Sequence, residues 1–159
     1  SSLPALSTGE QSNLSSAVVN YDDTNRDFLY QSQSYTPGSS NNTLNITLTH
    51  QISRITTVVR SYAPYGNINS IANAKLTPHY SDGVINLSGG GITGRSVLSS
   101  GAVLDFSGAT FPATSVTSSP VFINADSGGA ATGVFSADIN IDGVTKTITL
   151  SNKFKITPG

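Results

Sequence analysis

Alternating oxygen-bearing side chains near residue 25 could open a calcium-binding loop. Asp23, Asn25 and Asp27 occupy every second position, as the first three ligands of such a loop do. The sixth position is Phe28, where the loop needs glycine for its sharp turn, and the twelfth is Ser34, where it needs a bidentate glutamate. The sequence therefore favours a solvated turn, and we expect neither a metal nor a cofactor.

The only two histidines, His50 and His79, are the candidates for acid–base chemistry. Neither has a cysteine or a carboxylate at the spacing of a metal site. Ser53 follows His50 by three residues, but a general base also needs an acidic partner to orient it, and proximity in sequence supplies no triad geometry. We therefore predict structural histidines, hydrogen-bonded to backbone at strand ends, and no catalytic residue.

Sites for anionic ligands are equally hard to find. Lys and Arg number eight and are scattered, so no basic stripe could follow a phosphate backbone. The glycine-rich step Gly89–Gly94 lacks the Lys-Ser/Thr pair of a phosphate-binding loop. Nucleic acid is therefore a poor candidate partner, and the Gly89–Gly94 step is best interpreted as a flexible loop.

Composition indicates a folded domain with little charge. The 159 residues are 36% hydrophobic and 11% charged, enough for one core-bearing domain or for two small β modules. No apolar run approaches the roughly 20 residues of a membrane span. The absence of Cys excludes disulfides and thiolate metal sites, and the absence of Met suggests a processed or excised product.

Hydrophobic alternation predicts strands in the first half of the chain. Leu44, Ile46 and Leu48 alternate with hydroxyl and amide residues, the pattern of a half-buried strand. The β-branched run Ile55–Val59 also suits a pleated sheet. Because the Gln51–Ser53 step is too short for an ordinary loop, we expect a bulge or a bend in one long strand there.

Asp142-Gly143 predicts the best-specified element, a hairpin with a two-residue type I′ turn. Such a turn places Ile139 opposite Lys146, an edge position where the lysine stem can cover the isoleucine. It also brings apolar pairs onto one face: Ile141 with Val144, Ala137 with Ile148, and Phe135 with Leu150. Together with many short strand candidates separated by turn residues, this predicts an all-β antiparallel β-sandwich.

Several motifs, in order, resemble the fimbrillin-like proteins of Bacteroidetes, which are surface lipoproteins and pilus subunits. The first are Asp27-Phe28-Leu29-Tyr30 and, after an alternating strand, His50-x-x-Ser53-Arg54-Ile55; Asn73–Leu76, Gly89–Gly94 and Phe135–Thr145 follow. The resemblance spans roughly Arg26 to the C-terminus. It implies a Greek-key, transthyretin-like sandwich at the bacterial surface, without enzymatic activity, over residues 26–159. Residues 1–25 are then a polar leader, either exchanged between subunits or poorly packed.

Within the motif, His50, Ser53 and Arg54 are expected to be structural, with a partly buried Arg54 paired to a carboxylate or to loop carbonyls. At the other end, Pro158-Gly159 is a turn-opening pair that usually leads into another strand. Either the chain is truncated there, or the sheet edge is open for a strand from another molecule. The residues of that candidate strand-exchange edge are Lys153, Phe154, Lys155 and Ile156.

Two functional hypotheses follow from the resemblance and from this edge. In the first, the chain is a structural subunit of an outer-membrane-attached fimbria, assembled by β-strand exchange with copies of itself or with related pilin subunits. In the second, it is a monomeric cell-surface lipoprotein domain that binds glycan or a host protein through its loops. An enzyme ranks below both, because the sequence offers no cluster of His, Asp and Glu.

Overall fold

A computed structural model describes residues 15–38, 43–62, 64–125, 132–153 and 156 of the chain. Within these ranges the regular elements are β-strands, and no helix is present that could cross a membrane. All strand pairs are antiparallel, which confirms the predicted all-β class. The strands are β1 Val18–Asn20, β2 Leu29–Tyr30, β3 Thr49–His50, β4 Ser53–Ile55, β5 Val58–Arg60, β6 Ile68–Thr77, β7 Val84–Asn86, β8 Ile92–Thr93, β9 Ala102–Val103, β10 Ser115–Thr117, β11 Val121–Ile123, β12 Thr132–Ile141 and β13 Val144–Lys153.

The first layer of the sandwich is a four-stranded sheet in the order β13-β12-β6-β9. Its three long strands have ten residues each, so the sheet extends well beyond the short strand β9. A register shift between Ser136 and Asp138 marks an irregularity opposite Asn73, which has a positive φ of 52°. The Asn73 amide donates a hydrogen bond of 2.7 Å to the Asp138 carboxylate, which holds the irregular step in place.

The second layer is a two-stranded ribbon in which residues 53–60 run antiparallel to residues 115–123. β4 pairs with β11 and β5 pairs with β10. Between the two ladders, Ser118 accepts a 3.0 Å hydrogen bond from the Thr57 N–H at its hydroxyl and donates its own N–H to the Thr57 carbonyl at 2.9 Å. These side-chain and backbone bonds make the two short ladders one continuous ribbon.

The main core fills the space between the sheet and the ribbon. It draws alternate residues from β6 and β12 on one side and from β10 and β11 on the other, as two facing sheets do. The arrangement is the predicted sandwich. The buried core residues are Ile68, Ala74, Leu76, Ala102, Leu104, Phe106, Val116, Val121, Ile123, Ala125, Phe135, Ala137, Ile139 and Ile156.

A second, smaller cluster lies under the three-stranded sheet β1-β7-β8 and contains Val19, Ile52, Ile85 and Ile92. Phe122 of β11 packs against this cluster, whereas the next residue of the same strand belongs to the main core. Strand β11 thus contributes side chains to both clusters. The region predicted as a polar leader contains β1, in which Val19 is buried together with the preceding Ala17, whereas Asn20 is exposed. Residues 1–14 lie outside the described residues.

The predicted hairpin is confirmed residue by residue. Asp142 and Gly143 have φ values of 48° and 89°, as a type I′ turn requires at its two central positions. Ile139 faces Lys146, and the three predicted apolar pairs have the expected register. Local turn chemistry and hydrophobic alternation agree here, which is why the prediction succeeds.

The strand predicted around Leu44, Ile46 and Leu48 is absent. The segment Thr43–Leu48 forms no strand, and the three apolar side chains are 44%, 61% and 54% exposed. Hydrophobic alternation identifies which face of a strand is apolar, but it does not identify the neighbouring strand that the segment pairs with. No strand of the described chain pairs with this segment. The predicted bend at Gln51–Ser53 is present, but it separates β3 and β4, which pair in different sheets.

A carboxylate holds the loop that follows β8. Asp82 accepts hydrogen bonds from the Ser96 hydroxyl at 2.6 Å, from the Ser96 N–H at 3.0 Å and from the Val97 N–H at 2.8 Å. The Ser96 hydroxyl, and then the backbone donors, lower the pKa of Asp82 below its ordinary value. A lowered folded-state pKa stabilises the fold above the unfolded-state pKa, and this contribution is lost as the pH falls through the folded-state value.

We therefore expect Asp82→Asn to reduce the loss of stability on acidification. The asparagine can still accept hydrogen bonds but has no charge to titrate, so the unfolding midpoints of the variant should differ less between neutral pH and about pH 3. Urea unfolding of both proteins at the two pH values measures this. An equal difference between the two pH values in both proteins would show that the Asp82 charge does not contribute.

Candidate functional site

The outer edge of β13, on the side away from β12, has no partner strand in the described part of the chain. In a two-residue hairpin the residues that close the turn exchange both backbone hydrogen bonds, and this pattern alternates along the ladder. The backbone groups of Thr145, Thr147 and Thr149 therefore point away from β12 and toward the open edge. A row of unpaired N–H and C=O groups of this kind is a template for an added strand.

The structure describes two of the four predicted strand-exchange residues, Lys153 and Ile156. Lys153 ends β13, whereas Phe154 and Lys155 lie outside the described residues. Ile156 is only 5% exposed and belongs to the main core, so its side chain is anchored inside the sandwich instead of being presented at an edge. The open edge is the length of β13, and strand exchange at Lys153–Ile156 itself stays a prediction.

An apolar groove of about 640 Å³ lies between the inward face of the β12–β13 hairpin and the ribbon strand β5. Val58 and Leu150, on its opposite walls, are 49% and 50% exposed, so the groove exposes apolar surface that is only half covered. Isolated exposed apolar residues are ordinary, but a continuous apolar groove beside an open strand edge indicates a binding surface. Its lining residues are Ile55, Thr56, Thr57, Val58, Val59, Arg60, Leu76, Phe135, Ile139, Ile141, Ile148 and Leu150.

The groove exists because the two layers of the sandwich differ in width. The hairpin places Ile148 and Leu150 on the inward face, opposite Ala137 and Phe135 of β12. The ribbon that should cover them is only two strands wide, and it reaches the β12 residues but leaves β13 partly uncovered. The only charged side chain that lines the groove is Arg60, and no acidic residue of the described chain lines it. Such a groove suits an uncharged, apolar occupant.

His50, Ser53 and Arg54 are close in sequence but do not form one site. His50 lies in β3 with its Nδ1 atom 2.9 Å from an Asp27 carboxylate oxygen, whereas Ser53 and Arg54 lie in β4 and pair with β11. The Arg54 side chain is exposed, so the expectation of a partly buried charge there is wrong. An outward position on a strand explains its exposure, because alternate β4 residues face solvent.

His79 is buried beside a cavity of about 310 Å³. Its Nε2 atom is 2.7 Å from Asp23 Oδ1, and its Nδ1 atom accepts a 3.1 Å hydrogen bond from the Asn124 N–H. Because Nδ1 accepts that bond, Nε2 carries the ring hydrogen and donates a hydrogen bond to the Asp23 carboxylate. Both ring nitrogens are engaged, so this geometry leaves neither available to take a proton from a substrate.

Sequence reasoning missed the acidic partners of both histidines. Asp23 and Asp27 come from one turn, yet one contacts a histidine 56 residues away and the other contacts a histidine 23 residues away. Asn25, between them, instead accepts a hydrogen bond from the Phe122 N–H at 2.8 Å. The three oxygen-bearing side chains of the calcium-like motif therefore do not converge on one point. Each contacts a different partner: His79, His50 or the Phe122 N–H.

The turn also affects a neighbouring tyrosine of the same cavity. Burial, and then the nearby Asp23 and Asp22 carboxylates, raise the pKa of Tyr21 to about 12. Tyr21 therefore stays protonated and acts as an apolar ring that packs against the smaller cluster. The cavity beside His79 is consistent with a structural role for the residues around it.

Comparison of the chain with protein-family models, with curated proteins and with solved structures finds no match of any of the three kinds. The features that bear on function are then the open β13 edge and the groove beside it.

Proposed function

We propose that this chain is a structural subunit of a bacterial surface fimbria that assembles by β-strand exchange between subunits. The observation that carries the proposal is the open outer edge of β13 beside an apolar groove. An incoming strand would pair with the unpaired backbone groups and would bury its apolar side chains in the groove. The two requirements of strand addition, backbone pairing and pockets for alternate side chains, thus lie side by side.

The sequence resemblance to fimbrillin-like proteins supports the same proposal. It spans roughly Arg26 to the C-terminus and includes the strand motifs around His50 and the hairpin strand from Phe135. A Greek-key, transthyretin-like strand order and a location at the outer membrane belong to this proposal as well. The low charge of the groove fits contact between subunits of one kind, because like-charged copies would otherwise repel one another.

Thr149→Pro tests whether the β13 edge mediates assembly. Thr149 lies on an edge strand with its N–H directed outward, so proline removes a donor to the incoming strand and leaves the β12–β13 ladder intact. We expect self-association, measured by light scattering across a concentration series and by electron microscopy, to weaken about ten-fold or more.

Thr149→Ala is the matched control, because it removes the same side chain and keeps the N–H. We expect this variant to assemble like the natural chain, and both variants to unfold at a similar urea concentration. If the natural chain is monomeric at every concentration tested, the proposal is wrong. If both variants assemble normally, the edge involved is not β13.

A second candidate function is loop-mediated binding of glycan by a monomeric surface domain. Tyr62 and Tyr65 favour it, because they are 77% and 71% exposed and their ring centroids lie 6.1 Å apart with planes tilted by 43°. Exposed aromatic rings present an apolar face and a polar tip, a combination suited to stacking on a sugar. Saturable binding on a glycan array, lost on replacing both tyrosines with alanine, would support this function; a blank array would count against it.

A further inference from the structure

The segment Thr43–Leu48 has the side-chain pattern of a strand but lies outside every sheet. Leu44, Ile46 and Leu48 are exposed, whereas an edge or central strand buries such a face. The segment carries no charge, no proline and no glycine. It is therefore able to pair with a strand edge along its whole length.

The groove beside β13 has the complementary features. Its inward-facing residues Ile148 and Leu150 are two positions apart, the same spacing as the apolar residues of Thr43–Leu48. A six-residue strand spans about 20 Å, which fits beside the ten residues of β13. Among the described residues, Arg60 is the only charged one that lines the groove, so an uncharged segment meets neither repulsion nor an unpaired carboxylate there.

The solvent-facing side of β13 also matches the solvent-facing side of the Thr43–Leu48 segment. Thr145, Thr147 and Thr149 form the exposed, hydroxyl-rich face of β13. An added Thr43–Leu48 strand would place Thr43, Asn45 and Thr47 beside them, toward solvent. Threonine pairs across neighbouring strands are favourable, so the added strand would continue both faces of the sheet.

The segment does not occupy the groove of its own molecule. None of its residues lines the groove, and its C-terminal end is held where Thr49 pairs with Tyr30. Phe28, which precedes β2, packs against the smaller cluster. The Tyr30 hydroxyl donates a hydrogen bond to the carbonyl of Leu87, which also packs against that cluster. The unpartnered segment and the unpartnered groove are therefore on different parts of one molecule.

We infer that Thr43–Leu48 of one copy adds to the outer edge of β13 in a second copy and fills its groove with Leu44, Ile46 and Leu48. This inference depends on the proposed function, since it names the strand that is exchanged. Donor and acceptor surfaces are different patches, so the contact is heterologous and is not closed by a two-fold axis. Repetition of such a contact produces an open filament or a ring.

The absence of cysteine from the chain allows a specific cross-linking test. Ile46→Cys and Leu150→Cys are prepared separately, mixed and oxidised. We expect a disulfide-linked dimer from the mixture and little from either variant alone, because each assembled contact then pairs one donor position with one acceptor position. Thr47→Cys, on the other face of the same segment, should yield little dimer with Leu150→Cys.

A charge placed on the buried face gives an independent measurement. Ile46→Asp should raise the concentration needed for assembly by about ten-fold or more, because the carboxylate would enter an apolar groove. Thr47→Asp adds the same charge to the solvent face and should leave assembly nearly unchanged. Since Ile46 is exposed in the monomer, both variants should unfold at the same urea concentration as the natural chain.

The outcomes separate this inference from the proposed function. If the natural chain assembles but Ile46→Asp assembles equally well and the mixed cysteine variants yield no dimer, the donor is another segment and only the inference is overturned. If the natural chain remains monomeric throughout, both are overturned. A mixed dimer together with loss of assembly in Ile46→Asp, but not in Thr47→Asp, supports both.

Discussion

Replacement of Asn124 with leucine is expected to lower the free energy of unfolding by roughly 3–5 kcal/mol. Asn124 is completely buried at the end of β11. Its amide donates hydrogen bonds to the Tyr80 carbonyl at 3.2 Å and to the Asp82 carbonyl at 2.9 Å. Its amide oxygen accepts a 2.6 Å hydrogen bond from Arg95 Nε. Leucine has a similar volume but supplies none of these three contacts.

The expected loss is large because the substitution removes three contacts at once from partners that are partly buried. A carbonyl that loses its donor away from solvent costs about 1–3 kcal/mol, and a lost contact to a charged group costs more. Arg95 also donates a 2.6 Å hydrogen bond to the carbonyl of Ile92 in β8. Through Arg95, Asn124 therefore links β11 to β8. The substitution therefore weakens the junction between the two hydrophobic clusters.

Urea unfolding followed by circular dichroism measures the change. Asn20→Leu is the matched control, because Asn20 is exposed on β1 and the same substitution there should change stability by about 0.5 kcal/mol or less. A loss below about 1 kcal/mol in Asn124→Leu would mean that water replaces the missing amide. In that event Asn124 would contribute little to the junction.

Local signals account for what the sequence predicts well. The β12–β13 hairpin is specified by Asp142-Gly143 and by the alternation on each side of it, so turn type and register depend on neighbouring residues alone. The antiparallel all-β class follows from the same short-range features. In both cases the information needed lies within about a dozen residues of the element concerned.

Contacts between distant residues account for what the sequence does not predict. The pairing of Asp23 with His79 joins positions 56 residues apart, and nothing near either residue indicates the other. The role of Asn124 is indicated by the sequence, because it is the one amide in the apolar run from Val121 to Ala125. An amide buried in such a run needs hydrogen-bond partners. The groove is less predictable still, because it depends on how far the ribbon extends across the hairpin.

Thr43–Leu48 shows the limit of periodicity most clearly. Its alternation is as regular as that of β13, yet no strand in the described ranges pairs with the segment. A period of two indicates that one face should be buried, and it does not say against which strand or in which molecule. The exposed strand-like segment and the open apolar groove are therefore explained together if the segment of one copy binds the groove of another.

Replacement of Ile85 with alanine is expected to destabilise the whole domain by about 3 kcal/mol, within the 2–5 kcal/mol range of such core truncations. Ile85 is 1% exposed and sits in β7 between Val19 of β1 and Ile92 of β8. Removing three carbons there loses apolar burial and leaves a cavity in a cluster that has four buried members among the described residues. In so small a cluster, few neighbouring side chains can shift to fill the cavity.

The form of the unfolding curve decides whether the two clusters are independent modules. Because β11 contributes Phe122 to one cluster and Ile123 to the other, we expect one cooperative transition in both Ile85→Ala and its main-core counterpart Ile123→Ala. Amide hydrogen exchange gives the sharper measurement: under conditions where exchange occurs by global unfolding, Ile85→Ala should accelerate exchange in β6 and β12 as well as in β7. Faster exchange confined to β7 would mean that the smaller cluster opens alone, and that the chain contains two β modules joined at β11.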